Sequence, residues 1–268
     1  QAPSQAPAQA ENVAKEAAER GDGWVRPFTL GDCLRTLVTL AAIVPGLVLA
    51  LLTLLFGGTR RQAFNRATEF WGRAGVRAAG VELQVEGGEF LDIRPAVFVI
   101  NHRSGIDPIL VCALLKRNFV GVAKAELRRN VFLGPAFAAA GTIFLDRASA
   151  RSAQKNLLAG VKILEEGYGV AIAPEGTRSA ESRVGRFKTG AFWLAQEAKI
   201  PIVPIVIHDA GQILPRGGFI MRSGRVRVSV LPPVATSGWA AGEARLQASR
   251  FERLFESVLQ AARSPDRL

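Results

Sequence analysis

The residue types best suited to chemistry lie in one short stretch, "NHRSGIDP", at residues 101–108. This stretch follows the apolar run "AVFVI", which is typical of a buried strand. His102 is one of only two histidines in the chain, and Asp107 follows it by five residues. A carboxylate that accepts a hydrogen bond from one imidazole nitrogen fixes the tautomer and leaves the other nitrogen as a general base. The stretch therefore predicts a base in the turn that follows a strand.

Spacing alone leaves three interpretations of this turn open. In the first, His102 activates a hydroxyl of the substrate. In the second, Ser104 is a protein nucleophile that His102 activates, as in a lipid hydrolase. In the third, Asp107 only caps the predicted helix "DPILVCALLK", with Pro108 at its first position, and His102 is a structural turn residue.

A second group of polar residues, "PEGTRS" at 174–179, follows another apolar run. Gly176 allows the backbone to approach a ligand closely. Arg178 offers a planar pair of donors that matches a phosphate. Glu175 has the chemistry to orient Arg178 or to hold a substrate hydroxyl. The simpler alternative is a strand-to-helix turn that carries a surface ion pair.

Other polar residues near the ends of predicted elements are weaker candidates. Arg147 ends the predicted strand "GTIFLDR", and Lys124 lies near the end of "FVGVAKAEL". Cations at such positions are more often solvated than functional. His208 and Asp209 follow the strand "IPIVPIVI", but adjacent strand residues point to opposite faces, so the sequence does not predict a catalytic pair there.

Short apolar runs alternate with helical patterns from about residue 80 onward, and these elements must position the polar groups. The alternation predicts an α/β fold with a central, mostly parallel mixed sheet flanked by helices. In such sheets ligands bind at the carboxyl ends of strands. The predicted strands are "VELQVEG", "AVFVIN", "FVGVAKAEL", "GTIFLDR", "GVAIAPEG", "IPIVPIVI" and "RVRVSVL".

An uncharged stretch of 21 residues, 36–56, precedes this region and is long enough to span a bilayer. Pro45 and Gly46 interrupt its centre, so a straight transmembrane helix, a bent hairpin in one leaflet and a buried core hairpin are alternatives. Arginines interleaved with aromatic residues follow it, which suits an anionic membrane surface. We therefore predict a protein at the cytoplasmic face of the cell membrane.

The composition limits the possible partners. The chain has 268 residues, 49% of them hydrophobic, and a net charge of +11, which excludes disorder for most of its length. The charge favours anionic partners, such as phospholipid head groups, phosphorylated metabolites or nucleic acid, although a solvated basic surface is the simpler alternative. Cys33 and Cys112 lie in apolar segments and are expected to be free thiols.

Four blocks in order resemble the lysophospholipid and glycerol-phosphate acyltransferases. They are Asn-His-x-Ser-x-x-Asp at 101–107, Gly-x-x-Phe-x-x-Arg at 141–147, Pro-Glu-Gly-Thr-Arg-Ser at 174–179, and an apolar strand with a Val-Pro pair at 202–207. The chain is most similar to the branch that acylates 1-acylglycerol 3-phosphate, and the resemblance covers roughly residues 80–235. One departure is Ala173, where many members have Phe.

The resemblance implies a role for each residue of these blocks. His102 is expected to be the base and Asp107 to orient it. The expected substrate-binding residues are Lys124, Arg147, Glu175, Gly176, Thr177 and Arg178. The implied reaction moves a fatty acyl group from an acyl thioester to the sn-2 hydroxyl of lysophosphatidic acid and gives phosphatidic acid. Other lysophospholipids, a glycolipid or glycerol 3-phosphate are alternative acceptors, and a membrane lipid hydrolase or lipid carrier is the alternative from another class.

The expected partners and domains follow from the same resemblance. Membrane phospholipid and lysophospholipid are expected partners, with acyl-coenzyme A or acyl carrier protein as the thioester co-substrate. No cofactor, metal or nucleic acid is expected, and the oligomeric state is left open. We predict a low-complexity tail or linker at 1–25, a membrane-associated helical region at 26–78 and an acyltransferase catalytic domain at 79–268.

Overall fold

The computed structural model describes residues 28–130, 134–145, 150–178 and 184–262. The tail predicted at 1–25 lies outside these residues. The strands are β1 (Val81–Glu86), β2 (Ala96–Ile100), β3 (Phe119–Lys124), β4 (Ile143–Leu145), β5 (Gly169–Ile172), β6 (Ile202–Ile207) and β7 (Gly224–Val230). The helices are α1 (Leu30–Ala41), α2 (Ile43–Leu55), α3 (Arg60–Ala78), α4 (Asp107–Leu115), α5 (Gly134–Ala139), α6 (Ala150–Glu165), α7 (Gly190–Ala198), α8 (Ala210–Ile213) and α9 (Ala244–Ala261).

The seven strands form one sheet in the order β1-β7-β6-β2-β5-β3-β4. Strands β6, β2, β5, β3 and β4 are parallel neighbours, whereas β7 is antiparallel to β6 and parallel to β1. The predicted mostly parallel mixed sheet is therefore confirmed. Ala96 pairs with Gly169 and Val99 with Ile172, so β2 and β5 end side by side. The two polar stretches that follow them must leave the sheet at the same edge.

Strand β2 lies at the centre of the fold, and all five of its residues are buried. Phe98 and Ile100 belong to the core on one side of the sheet, and Val97 and Val99 belong to the core on the other side. Successive strand residues point to opposite faces, so a strand covered on both sides needs a continuous apolar run. This explains "AVFVI" and holds the start of the next turn rigidly.

Helix α4 is positioned by direct contact with α3. A Cβ added at Gly72 of α3 would lie 2.3 Å from the backbone nitrogen of Ala113 in α4. Only glycine fits at that separation, because real side chains do not tolerate such contacts. The helix that begins at Asp107 is therefore packed against α3, and the turn before it is held from both ends.

The N-terminal apolar segment forms two nearly continuous helices, α1 and α2, with a discontinuity at Ala42. Pro45 explains this position, because it has no N–H to donate to the carbonyl group four residues earlier. Pro45 and Gly46 both lie inside α2, so the structure places no hairpin turn at these two residues. The chain instead reverses at Gly57, which has a φ of +79°, and α3 packs back along α2. A helical hairpin does form, but its turn follows the apolar run.

Helices α1 and α2 bury polar residues and expose apolar ones. Asp32, Thr36 and Thr39 are the buried residues of α1. In the described part of the chain, Leu30–Leu55 is the one stretch of helix long and apolar enough to cross a membrane, and 17% of an 18-residue apolar segment within it is buried. A core helix buries its apolar stripe, so the buried-core alternative is wrong. The exposed residues include Leu30, Leu34, Leu37, Val38, Leu40, Val44, Leu47, Val48, Leu51, Leu52, Leu54 and Leu55.

Candidate active site

The turn after β2 brings His102 and Asp107 together. The distance from His102 Nδ1 to Asp107 Oδ2 is 2.6 Å. The imidazole is 31% exposed and the carboxylate 6% exposed, so one end of the ring is held inside while the other end faces outward. Because an ionised carboxylate only accepts hydrogen bonds, the neutral form of the ring carries its proton on Nδ1 and has its lone pair on Nε2. The geometry is that of an oriented general base.

Asp107 Oδ2 also accepts hydrogen bonds from the backbone N–H groups of Arg103 and Ser104, at 2.8 and 2.9 Å. The carboxylate therefore closes the turn onto itself. The prediction that Asp107 is the N-cap of α4 is wrong: Ile106 is the N-cap, and Asp107 and Pro108 are the first two helical residues. The side chain turns back toward the preceding loop, so it cannot bond to the N–H groups of the helix.

Ser104 is a structural residue of the same turn. Its Oγ is 2.7 Å from the carbonyl oxygen of Leu214, to which it donates, and it accepts from the backbone N–H of Ile106. The residue is completely buried. A hydroxyl committed in this way has no hydrogen bond to His102, so the geometry does not support the Ser104 nucleophile of the hydrolase alternative.

Sequence reasoning assigned no role to Asn101, which fixes the start of the turn. Its side-chain amide donates to the carbonyl of Ile207 at 2.9 Å and accepts from the N–H of Ile207 at 2.7 Å. The end of β2 is thereby joined to the end of β6. A buried asparagine directly after an apolar strand is the signal, since its amide needs partners.

Glu175 connects the second polar stretch to the first. One carboxylate oxygen accepts from the backbone N–H of His102 at 2.8 Å, and the other accepts from that of Gly185 at 2.7 Å. Burial raises the pKa of Glu175, while the two N–H groups and the charges of Arg103 and His102 act to lower it. Its observed contacts hold the backbone of the candidate base in place.

Arg178 also lies beside the turn that carries His102. A Cβ built at Gly105 would be 3.6 Å from Arg178 Nη1, so the guanidinium packs over the glycine of that turn. Gly176 has a φ of +73°, a conformation that favours glycine. It is buried, whereas Thr177 is exposed. The left-handed residue allows the chain to turn from the buried Glu175 to Arg178.

The remaining predicted residues lie farther along the same edge or outside the described residues. Lys124 is exposed at the end of β3 and pairs in register with Leu145, the end of β4. Arg147 lies outside the described residues. His208 and Asp209 have separate partners, with His208 Nε2 3.1 Å from Ser229 Oγ and the Asp209 carboxylate 2.9 Å from Arg227 Nε. The expectation that they do not form a catalytic pair agrees with these contacts.

The comparison with protein families identifies this region. Residues 82–208 match the sequence model of the family described as Acyltransferase. This range contains the turn of His102, the stretch around Glu175 and Arg178, and the strand β6. Residues 82–208 therefore form an acyltransferase domain, and the resemblance inferred from the four blocks is confirmed.

Curated relatives give a more specific likeness. The chain is 28% identical over 230 residues to a 1-acyl-sn-glycerol-3-phosphate acyltransferase of Limnanthes alba, covering 85% of this chain and 81% of the relative. It is 33% identical over 183 residues to the alpha form of that enzyme in Homo sapiens, covering 68% of this chain and 65% of the relative.

A solved structure shares the fold. The crystal structure of the 1-acyl-sn-glycerophosphate (LPA) acyltransferase PlsC from Thermotoga maritima aligns with a TM-score of 0.71 at 22% sequence identity. The alignment covers 87% of this chain and 96% of that one. The similarity therefore extends beyond the sheet region to residues that precede β1.

Proposed function

We propose that this protein transfers a fatty acyl group from an acyl thioester to the sn-2 hydroxyl of lysophosphatidic acid, giving phosphatidic acid. The observation that carries the proposal is the 2.6 Å contact between His102 Nδ1 and Asp107 Oδ2, with Nε2 on the outward side of the ring. The relatives named as 1-acyl-sn-glycerol-3-phosphate acyltransferases support this choice of acceptor.

In the proposed mechanism His102 Nε2 takes the proton of the acceptor hydroxyl while the hydroxyl oxygen attacks the carbonyl carbon of the thioester. Asp107 stabilises the imidazolium that forms. The tetrahedral intermediate collapses, the carbon–sulfur bond breaks, and the imidazolium returns the proton to the thiolate. The new bond is an oxygen ester and the released product is the free thiol. No protein acyl intermediate is needed, which agrees with the buried, hydrogen-bonded Ser104.

Arg178 is proposed to bind the phosphate of the acceptor. Its guanidinium lies over Gly105, three residues from the proposed base, and no described residue forms an ion pair with it. A guanidinium gives two parallel donors to a phosphate, which holds both the position and the orientation of the acceptor. Lys124 and Arg147 are proposed to add positive charge at the same edge of the sheet, and Thr177 and Gly176 to line the approach.

Helices α1 and α2 are proposed to lie in one leaflet of the membrane. Their polar faces are tied to the rest of the protein, because Thr36 Oγ1 accepts from the N–H of Met221 and Thr53 Oγ1 accepts from Arg66. A helix attached along its length to a charged domain cannot cross the bilayer without burying that domain. The arginines of α3 fit an anionic surface, and we propose that this is the cytoplasmic face of the cell membrane.

Acyl-coenzyme A or acyl carrier protein is the proposed donor, and both are anionic. The net charge of +11 attracts such a donor to the membrane surface. The proposed reaction uses no cofactor or metal, and nucleic acid is not a proposed partner. The described residues contain no cluster of three or more His, Cys, Asp or Glu side chains that could hold a metal ion.

Acceptor profiling tests the proposal. Purified protein in lipid vesicles is given one acyl-coenzyme A donor and lysophosphatidic acid, another lysophospholipid, a glycolipid or glycerol 3-phosphate, and the release of thiol is measured. We expect faster thiol release with lysophosphatidic acid than with the other acceptors. His102→Ala should lose this thiol release, and His208→Ala is the matched control. Equal rates with all acceptors would reject the proposed substrate, and phospholipid hydrolysis without a thioester would reject acyl transfer.

A further inference from the structure

The loop at residues 215–223, between α8 and β7, carries an exposed aromatic residue. Phe219 is 88% exposed, and this equals the exposed fraction of Leu30 at the start of the apolar helices. Within the α/β part of the described chain, the other large exposed apolar side chains are much less exposed: Val85 at 39%, Leu158 at 49% and Leu246 at 44%. Scattered, partly exposed apolar side chains are normal on a protein surface, but a phenylalanine that projects almost fully into the surroundings is not.

The loop that presents Phe219 is fixed at both ends. Met221 is buried in the core, and its N–H donates to Thr36 Oγ1 of α1 at 2.7 Å. The N–H of Arg222 donates to the carbonyl of Ile213 at 2.8 Å, and Gly218 closes a turn onto Pro215 at 2.9 Å. The exposure of Phe219 is therefore a property of an ordered turn.

The same loop joins the apolar helices to the candidate active site. Phe219 is two residues from Met221, so their Cα atoms are at most about 7 Å apart. Phe219 thus lies close to α1, at the side of the helix where Thr36 is buried, while the exposed apolar residues of α1 lie on the rest of its surface. At the other end of the loop, the carbonyl of Leu214 accepts the hydrogen bond from Ser104. The loop contains the basic residues Arg216 and Arg222, and Arg216 is exposed.

We propose that the 215–223 loop is a second membrane contact, in which Phe219 enters the interfacial region of an anionic bilayer beside α1. Aromatic side chains favour this region, and neighbouring arginines are attracted to anionic lipid phosphates. Phe219 is near α1, a helix that itself exposes a row of apolar side chains, and this nearness favours a lipid surface over another occupant. The contact sets the turn of His102 at the bilayer surface, where an acceptor lipid reaches it without leaving the membrane.

This inference rests on the proposed attachment of α1 and α2 to the membrane, and not on the identity of the acceptor. The test places an environment-sensitive nitrobenzoxadiazole label at Phe219→Cys in a Cys33→Ser background. Cys112 does not compete for the label, because it is buried and burial raises its pKa to about 12. Leu246→Cys in the same background is the matched control, since α9 packs on the opposite side of the sheet from Met221.

Both labelled proteins are reconstituted into vesicles of phosphatidylglycerol and phosphatidylcholine, and flotation measures attachment. We expect the label at 219 to be quenched by nitroxide-bearing lipid, protected from aqueous iodide and shifted to shorter emission wavelength than the label at 246. If the protein floats but iodide quenches the labels at 219 and 246 equally, the proposal is overturned. The same result is expected if Phe219 normally contacts another protein and not the lipid. Protein that does not float would refute the membrane attachment of α1 and α2 as well, whereas neither result decides the acyl-transfer proposal.

Discussion

Replacement of Asp107 by Asn tests the proposed catalytic pair most directly. The change keeps the size of the side chain and removes its negative charge. The amide oxygen can take the place of Oδ2, which accepts from the His102 ring and from two backbone N–H groups. The amide nitrogen then occupies the position of Oδ1, which is buried and has no hydrogen-bond partner among the described residues.

The expected size of the effect follows from the distance. Two unit charges 2.6 Å apart attract by about 6 kcal/mol at an effective dielectric constant of 20, and by about 3 kcal/mol at 40. The partly exposed imidazole belongs between these limits. The imidazolium forms only as the hydroxyl is attacked, so its lost stabilisation lowers kcat by about 10²- to 10⁴-fold. The buried amide N–H groups lower the free energy of unfolding by a further ~1–3 kcal/mol.

The assay measures thiol release from an acyl-coenzyme A donor in vesicles that contain lysophosphatidic acid, with a thermal melt of the same sample. Asp209→Asn is the matched control, because it removes a carboxylate paired with Arg227 away from the turn. Its kcat should stay near that of the unchanged protein. If Asp107→Asn keeps a kcat within a few-fold of the unchanged protein, His102 does not depend on this carboxylate and the proposed mechanism is wrong.

Three further predictions concern the neighbouring residues. Arg178→Lys should raise the KM for the phosphate-bearing acceptor by about 10- to 100-fold and leave the KM for the acyl thioester nearly unchanged, because an ammonium lacks the paired N–H groups of a guanidinium. Arg186→Lys, at an exposed position, is the control. An unchanged acceptor KM would exclude the assigned role of Arg178. Glu175→Gln replaces one acceptor by an amide nitrogen and frees an N–H of His102 or Gly185, so kcat should fall about tenfold in kinetic assays. Burial lowers the pKa of His208, and the charge of Arg227 is a further cause. As the pH falls below the ordinary pKa of histidine, the unfolded chain therefore binds more protons than the folded one. The free energy of unfolding should therefore decrease with acidification through that range, and denaturation of His208→Gln at several pH values should show a shallower slope.

The repeating elements of the fold were predictable because their signals are local. "AVFVI" and "GVAIA" are short apolar runs typical of strands covered on both faces, and β2 and β5 occupy those positions. The antiparallel orientation of β7 was not predictable from these local signals, since the side chains of a strand do not encode the direction of the neighbouring strand. The reversal at Gly57 was missed because Pro45 and Gly46 are the stronger helix-breaking signal, although packing against α3 keeps α2 helical through them.

The candidate site also has some features that the sequence determines and others that only the tertiary structure decides. The sequence alone determined that a histidine and an aspartate share one turn and that "PEGTRS" follows another strand, because these are covalent relations. Tertiary structure decided what each carboxylate contacts. Asp107 turned back to Arg103 and Ser104, although its position favoured a helix cap. Glu175 bridged His102 and Gly185, which the chain alone does not bring together. A buried carboxylate takes whichever N–H donors the fold places around it. For Glu175, the pairing of β2 with β5 places the N–H of His102 within reach.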